Sequence, residues 1–398
     1  MNLQHIISLL LIGYIVYTID KKQENFPAPT VLLLIGMGLS LFTYFDTIDL
    51  TETMIYHLFI PALLFVSAYK FPIQGLLKNR RMIFLLATLG LFIHVVLLGA
   101  LTYGLSLIWF PVSFLGAMLI SAILTPTDPI SVVSIIKKSS ISNDLAHIVE
   151  GESMFNDGTS VVVFTALLQF LAPATDASIG AFVYNFVSVS IGGLAIGIVL
   201  GYIMTRAIHF SEHNHYQVML SIILAYGSFL LAEALSVSGV LAVVASGMML
   251  SHAFHQSEKE AHFRDLLDGF WEIAEVSLLA LLYLLIGIEV TDYLSFQYMG
   301  IGFALFIFTI IARYITIYIV SSLVKKHNWR YNLLISWSGL KGSMSVFLIL
   351  TLHLKTSVNV ETESLVAISF TVVLLSLIVQ SLTLSKLTKR LIATSTGK

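Results

Sequence analysis

Apolar segments long enough to cross a lipid bilayer dominate this sequence. A hydrocarbon core of about 30 Å takes about 20 helical residues. Apolar windows near this length lie at 3–19, 29–45, 52–69, 82–105, 110–136, 152–171, 178–205, 215–235, 238–253, 271–290, 299–324, 331–353 and 362–385. Since lipid offers no partners to backbone N–H and C=O groups, each window is expected to form an α-helix. The sequence therefore predicts an all-α polytopic membrane protein with thirteen transmembrane helices in one membrane domain, 1–398.

The positions of the basic residues predict how the chain is oriented. Cytoplasmic loops of membrane proteins are enriched in lysine and arginine. With the N-terminus outside, thirteen spans put 18 of the 21 basic residues on the inside and only Lys355 on the outside, while Arg313 and Lys341 fall within spans. One missed span in the middle of the chain would destroy this asymmetry. We therefore expect an extracellular N-terminus, a cytoplasmic C-terminus and a location in the cell membrane.

Composition excludes several partners and chemistries. The 21 basic and 23 acidic residues nearly balance, so nothing suggests nucleic acid as a partner. The sequence has no cysteine, which excludes disulfides, thiol nucleophiles and thiolate metal sites. An intramembrane hydrolase would need a nucleophile with a base, or a bound metal. The sequence has neither a Gly-x-Ser-x-Gly nor a His-Glu-x-x-His motif to supply them. We expect neither an enzyme activity nor a resident cofactor.

Two of the predicted spans contain helix-breaking sequences. The fifth holds Pro126 and Pro129, and a proline within a helix removes a hydrogen bond and clashes with the preceding turn. The twelfth is interrupted where Gly339 and Gly342 flank Lys341. The two spans are seven apart and therefore cross the membrane in opposite directions. This predicts two inverted six-helix repeats, joined by the seventh span, whose crossed discontinuous helices build an ion site from freed backbone groups.

The sixth predicted span begins with polar residues that lipid does not accommodate. Ser153, Asn156 and Asp157 share one helix face, and Glu152 lies one turn before Asn156. A charge at the bilayer centre costs roughly 2.5 to 3.5 kcal/mol on insertion scales, so such residues usually mark an ion or proton path. Together with Asp128 they offer the oxygen ligands that a hard cation such as Na⁺ prefers. In the alternative interpretation, Asn156 and Asp157 merely cap a helix.

A carboxylate shared by a cation and a proton is sufficient to couple their transport. Cation binding requires the deprotonated form, so Na⁺ and H⁺ compete for the same oxygen atoms. Alternate exposure of such a site to the two sides of the membrane exchanges one ion for the other. We predict that Asp157 is this shared carboxylate.

Two cations are predicted inside the membrane. Arg313 lies in the middle of the eleventh span and needs an anion. Glu152 is the expected partner. In one interpretation the pair is structural and leaves Asp157 free to bind ions; in the other it is an interhelical ion pair with no role in transport. Lys341 either offsets the partial charges of the broken helix ends that face it or extends to the membrane surface.

The polar motifs occur in an order that resembles the monovalent cation:proton antiporter-1 family, which includes prokaryotic NhaP-type and eukaryotic NHE-type exchangers. The motifs are Thr127-Asp128-Pro129, Glu152-Ser153 with Asn156-Asp157, Phe270-Trp271-Glu272, Leu285-Ile286-Gly287, Arg313, Gly339-Leu340-Lys341-Gly342 and Val379-Gln380-Ser381-Leu382-Thr383. They cover essentially the whole membrane region. Two positions depart from the family pattern, since arginine is usual at Lys341 and a small residue is commoner at Thr125-Pro126.

This resemblance implies the NhaA-like antiporter fold and a homodimer in membrane lipid. An ion-translocating core, 82–171 and 299–385, would move against a dimerisation scaffold, 1–70 and 178–290. The residues expected to bind Na⁺ are Asp157, Asp128, Ser153 and Thr127. Site support is expected from Glu152, Arg313 and Asn156. The related electrogenic branch has two aspartates where this chain has Asn156-Asp157, which implies electroneutral exchange of one Na⁺ or Li⁺ for one H⁺.

Several other functions are compatible with parts of the sequence. A K⁺/H⁺ antiporter would have the same fold, whereas a sodium-coupled solute symporter would need polar pocket groups for an organic substrate, and few are visible. One carboxylate set with a paired cation fits a binding site better than the filter of a channel. The segment 209–215, with three histidines and Glu212, is a solvated loop, a pH sensor or a metal site.

Overall fold

A computed structural model of the chain has helices as its regular elements throughout the part that it describes. The described residues are 2–19, 27–45, 48, 50–109, 111–129, 143–170, 178–208, 214–255, 261–324, 328–355 and 360–393. With π-helical turns counted as parts of the helices that contain them, these residues form fourteen helices. They are α1 Leu3–Ile19, α2 Ala28–Leu39, α3 Glu52–Lys70, α4 Ile73–Trp109, α5 Phe114–Ile123, α6 Asn143–Gln169, α7 Ile179–Ile208, α8 Asn214–Ala234, α9 Gly239–His255, α10 Ala261–Tyr293, α11 Phe296–Val324, α12 Trp329–Trp337, α13 Ser343–Lys355 and α14 360–393.

The helices lie at the apolar windows of the sequence. Seven described helices are long and apolar enough to cross a membrane, namely α3, α4, α7, α8, α10, α11 and α14. Five shorter apolar helices are α1, α2, α5, α9 and α13. An all-α polytopic membrane protein is therefore confirmed. The count of thirteen crossings and the inverted repeat stay predictions.

Several helices extend beyond the predicted windows. The sixth window begins at residue 152, but α6 begins at Asn143; the tenth begins at 271, but α10 begins at Ala261. Hydropathy stops a window at the first polar residues, whereas a helix continues beyond the lipid core because its hydrogen bonds are internal. By contrast, α2 is shorter than its predicted window, 29–45: the helix ends at Leu39, and the chain turns over 40–45.

Helix α6 is polar and is enclosed by other helices. It is absent from the helices that are apolar enough to cross a membrane, yet every residue from 148 to 164 is buried. Helices α4, α5, α7 and α9 all contact it. Protein therefore surrounds its carboxylates where lipid would otherwise lie, which reduces the cost of placing them at membrane depth.

Helices α2 and α10 pack backbone against backbone. A Cβ atom at Gly36 would meet the carbonyl oxygen of Leu284, and one at Gly287 would meet that of Leu33. Small residues allow helices in lipid to approach this closely. The contact fixes the position of α10 relative to α2.

Candidate functional site

The non-helical backbone that follows α5 and the break between α12 and α13 meet at a crossing, where they hydrogen bond to each other. Helix α5 ends at Ile123, and α12 is separated from α13 by residues 338–342. Within these interruptions, the backbone N–H of Asp128 donates to the carbonyl of Leu340 over 2.8 Å. The two residues form an antiparallel bridge. Non-helical backbone at membrane depth requires such partners, and the crossing supplies one. The part of the fifth span at 130–136 lies outside the described residues.

Lys341 is buried at this crossing. Its Nζ atom lies 3.4 Å from the carbonyl oxygen of Pro126, just beyond the C-terminal end of α5. Carbonyl groups freed at a helix C-terminus carry partial negative charge, which a buried ammonium group can offset. The side chain is 2% exposed, so the alternative in which Lys341 extends to the membrane surface is wrong.

Both glycines beside Lys341 allow a close approach. A Cβ atom at Gly342 would lie 2.6 Å from the Cβ atom of Asp128, and one at Gly339 would run into the guanidinium group of Arg313. Contacts this short do not occur between real side chains. Glycine at these positions therefore lets Asp128 and Arg313 reach the crossing.

A π-helical turn at Ser376–Gln380 in α14 holds the second interruption. The Ser376 hydroxyl accepts a hydrogen bond from the backbone N–H of Lys341 over 2.9 Å and donates one to Gln380 Oε1. Gln380 Nε2 in turn donates to the carbonyl of Trp337 over 3.0 Å. The turn therefore partners one backbone group at the end of α12 and one within the break, and π-helical turns frequently occur at functional sites.

Side chains of α6 hold the first interruption. The Ser153 hydroxyl donates to the carbonyl of Thr127, and Asn156 Nδ2 donates to the carbonyl of Thr125 over 3.1 Å. The Asn156 amide oxygen accepts a hydrogen bond from Ser160 over 3.0 Å. The side chains of Ser153 and Asn156 therefore supply donors to carbonyl groups that lie beyond the C-terminal end of α5.

Asp157 faces a pocket at the crossing. The pocket is lined by Thr127, Asp128 and Asp157, with apolar walls that include Leu63 and Leu279. Two buried oxygen atoms in this group, Asp157 Oδ1 and Thr127 Oγ1, have no hydrogen-bond partner among the described residues. Buried polar atoms are rarely left unpaired, and carboxylate and hydroxyl oxygens are ligands for hard cations. The pocket therefore offers oxygen ligands to a hard cation.

Glu152 points away from that pocket and pairs with Arg313. One guanidinium nitrogen lies 2.8 Å from Glu152 Oε2 and the other 3.4 Å from Oε1. Asn156 Nδ2 also donates to Glu152 Oε1 over 3.2 Å. Both charged side chains are buried. The pair occupies Glu152, so Asp157 and Asp128 are the carboxylates that face the pocket.

Three residues contribute to this site but were not predicted from the sequence as site residues. Tyr283 of α10 donates its hydroxyl proton to Asp128 Oδ2, and its only sequence signal was a phenol within an apolar run. Ser376 and Gln380 gave no signal except that Gln380 belongs to the motif at 379–383. The alternatives for the histidine-rich segment 209–215 stay predictions, because 209–213 lie outside the described residues.

Comparisons with known proteins agree with this architecture. Residues 6–390 match the family model described as "Sodium/hydrogen exchanger, transmembrane". The chain is 31% identical over 398 residues to the Na⁺/H⁺ antiporter NhaH of Halobacillus aidingensis, covering 97% of each chain. It is 33% identical over 359 residues to the Na⁺/H⁺ antiporter NhaP of Pseudomonas aeruginosa, covering 87% of this chain and 82% of that relative.

The fold is also similar to a solved structure. That structure is the sodium proton antiporter MjNhaP1 from Methanocaldococcus jannaschii at pH 8, with a TM-score of 0.77, 19% identity and 98% of both chains covered. At this identity the likeness shows the fold, while the family model and the two relatives show the ancestry. The family indicated by the sequence motifs is thus confirmed, and the chain belongs to the sodium/hydrogen exchanger family of transmembrane proteins.

Proposed function

We propose that this protein is a secondary active transporter that exchanges Na⁺ or Li⁺ for H⁺, with Asp157 as the carboxylate that both ions use. The observation that carries the proposal is the buried Asp157 carboxylate, whose Oδ1 has no hydrogen-bond partner among the described residues. It shares its pocket with Thr127 and Asp128 at the crossing of two interrupted spans. The names of the relatives support the same pair of ions.

Competition at Asp157 couples the two ions. Na⁺ requires the deprotonated carboxylate, and a proton on the same group removes both the charge and a ligand. Oxygen atoms of Asp128, Thr127 and Ser153 complete the proposed binding set. When the site is exposed to one side it exchanges Na⁺ for H⁺, and exposure to the other side reverses the exchange.

The walls of the pocket support movement of a core against a scaffold. Leu63 of α3 and Leu279 of α10 line one part and belong to the proposed scaffold, 1–70 and 178–290. Thr127, Asp157 and Met344 line the other part and belong to the proposed core, 82–171 and 299–385. A site at such a boundary changes its exposure when the core slides along the scaffold.

Three further features belong to this proposal. Arg313 pairs with Glu152, and the amide of Asn156 does not titrate. With Asp128 as a further ligand, Asp157 is then the single group that exchanges a proton for each Na⁺, which corresponds to electroneutral exchange. The chain forms a homodimer of thirteen-span protomers in the cell membrane, with its N-terminus outside. Large apolar side chains exposed along α7, such as Tyr184, Ile191 and Val199, support contact with lipid or with a second copy.

Purified protein in liposomes tests the exchange. In liposomes with an acidic interior, external NaCl or LiCl is expected to drive proton release, followed with a pH-sensitive dye, whereas choline chloride is not. The initial rate is expected to stay within about twofold when a membrane potential of 100 mV, worth about 2.3 kcal/mol per net charge moved, is imposed. A strong effect of voltage would refute electroneutrality. A response to K⁺ but not to Na⁺ or Li⁺ would favour the K⁺/H⁺ alternative.

Replacing Gly342 with alanine is expected to damage the site without changing a polar group. The new Cβ atom would lie 2.6 Å from that of Asp128, so the carboxylate has to move. Displacement of a positioned group by about 1 Å costs up to about 100-fold in rate, and we expect at least a tenfold loss of Na⁺-driven exchange. Gly104→Ala is the matched control, because no atom lies within 4 Å of its new Cβ position. Equal rates in the two variants would contradict the prediction.

A further inference from the structure

Tyr283 brings a hydroxyl group from α10 to the ion site. The side chain is fully buried and donates a hydrogen bond to Asp128 Oδ2. It lies within the run 278–286, whose other members are all leucine, alanine or isoleucine. The exchange cycle proposed above makes no use of this hydroxyl.

The two partners of this hydrogen bond are held by different parts of the protein. Helix α10 is fixed to α2 one turn from Tyr283, where Gly287 packs against the Leu33 carbonyl, and to α8 through a 3.0 Å hydrogen bond from Trp271 to Ser221. Asp128 is fixed to the other interruption through its backbone bond to Leu340. The bond between Tyr283 and Asp128 therefore crosses the boundary between the proposed scaffold and the proposed core.

A phenol that donates to a carboxylate has two effects on cation binding. It stabilises the charged form of the carboxylate, because hydrogen bonds to ionised acceptors are stronger than neutral ones. It also fixes one carboxylate oxygen and leaves acceptor positions on the group for a cation. Both effects favour Na⁺ at Asp128.

We infer that Tyr283 is a positioning residue, supplied by the scaffold, that raises the affinity for Na⁺ in only one of the two exposures of the site. The inference rests on the proposed function, since only movement of the core relative to α10 separates the two side chains. A hydrogen bond does not persist beyond a donor–acceptor distance of about 3.5 Å. In the other exposure Asp128 lacks this donor, so the apparent KM for Na⁺ is higher at that face of the membrane.

Tyr283→Phe tests this inference because it removes the hydroxyl and keeps the ring. The variant is reconstituted with one known orientation, and the apparent KM for Na⁺ is measured separately from each side of the liposome. We expect a rise of about tenfold at one face, as for loss of a hydrogen bond to a charged group. The KM at the other face and the maximal rate are expected to stay within about twofold. A general packing defect would instead lower the maximal rate in both directions.

Tyr14→Phe is the matched control. It removes a hydroxyl from an exposed side chain of α1, another helix of the proposed scaffold, and it should leave both KM values unchanged. An unchanged KM at both faces of Tyr283→Phe, or an equal rise at both, would overturn the inference while leaving the exchange function intact.

Failure of the exchange function itself is distinguishable. If the wild-type protein exchanges no cation, the proposed function is wrong, and Na⁺ binding to detergent-solubilised protein then decides the role of Tyr283. Titration calorimetry is expected to show weaker Na⁺ binding in Tyr283→Phe than in the wild type. Equal affinities would overturn the positioning role as well.

Discussion

Replacing Asp157 with asparagine is expected to reduce Na⁺/H⁺ exchange to the rate of protein-free liposomes. The amide has nearly the same shape but neither binds a proton reversibly nor carries the charge that balances Na⁺. Removing this group therefore affects both halves of the cycle at once. The measurement is Na⁺-driven proton release from acidic liposomes, together with uptake of radioactive Na⁺.

Asp144→Asn is the matched control for this substitution. Asp144 lies in the first turn of the same helix, where it pairs with Lys78 over 2.8 Å, and the helix separates it from Asp157 by about 20 Å. We expect exchange within about twofold of the wild type, since surface ion pairs contribute only about 0 to 1 kcal/mol. Exchange retained in folded, monodisperse Asp157→Asn protein would refute Asp157 as the shared carboxylate.

Replacing Arg313 with alanine is expected to destabilise the protein by about 3 to 5 kcal/mol, the usual cost of removing one partner from a buried ion pair. Arg313 is 7% exposed and Glu152 is 4% exposed, so the carboxylate left behind has little access to water. The lost guanidinium group also packs against Gly339. The measurement is the midpoint of thermal unfolding in detergent, with the folded yield after purification.

The double variant Glu152→Gln, Arg313→Met distinguishes the loss of the ion pair from the cost of leaving one buried charge unpaired. It leaves no unpaired charge, so we expect it to recover more than half of the stability lost in Arg313→Ala. Arg206→Ala, which removes a cation from the last turn of α7, is the control and should change the unfolding midpoint little. A double variant as unstable as Arg313→Ala would contradict the expected role of the pair.

The helices were predictable because lipid imposes one local solution on an apolar backbone. The predicted windows at 52–69 and 299–324 correspond to α3 and α11, whose bounds are nearly the same. Polar helix ends were less predictable, since α6 and α10 extend into residues that no hydropathy window includes. The interruption beside Lys341 was also visible locally, because two glycines and a charge oppose a continuous helix.

The site was predictable only as far as residue type and spacing on α6 allowed. Placing Glu152 and Asp157 on one helix follows from their separation, but the direction of each side chain depends on the helices around it. The bond from Tyr283 to Asp128 joins residues 155 positions apart, and Ser376 reaches Lys341 across 35 positions. No local pattern encodes contacts of this kind.

The sequence by itself determined the all-helical membrane architecture, the two broken spans and the family. These features depend on local rules, namely backbone satisfaction in lipid, proline and glycine at helix breaks, and ordered motifs. The sequence also named Glu152 as the expected partner of Arg313, but only the tertiary structure supplied that contact, the pocket that Asp157 shares with Asp128, and the bond from Tyr283 to Asp128. The physical reason is that a buried charge is stabilised by whichever partner the packing of distant helices brings within hydrogen-bonding distance, and sequence spacing does not contain that distance.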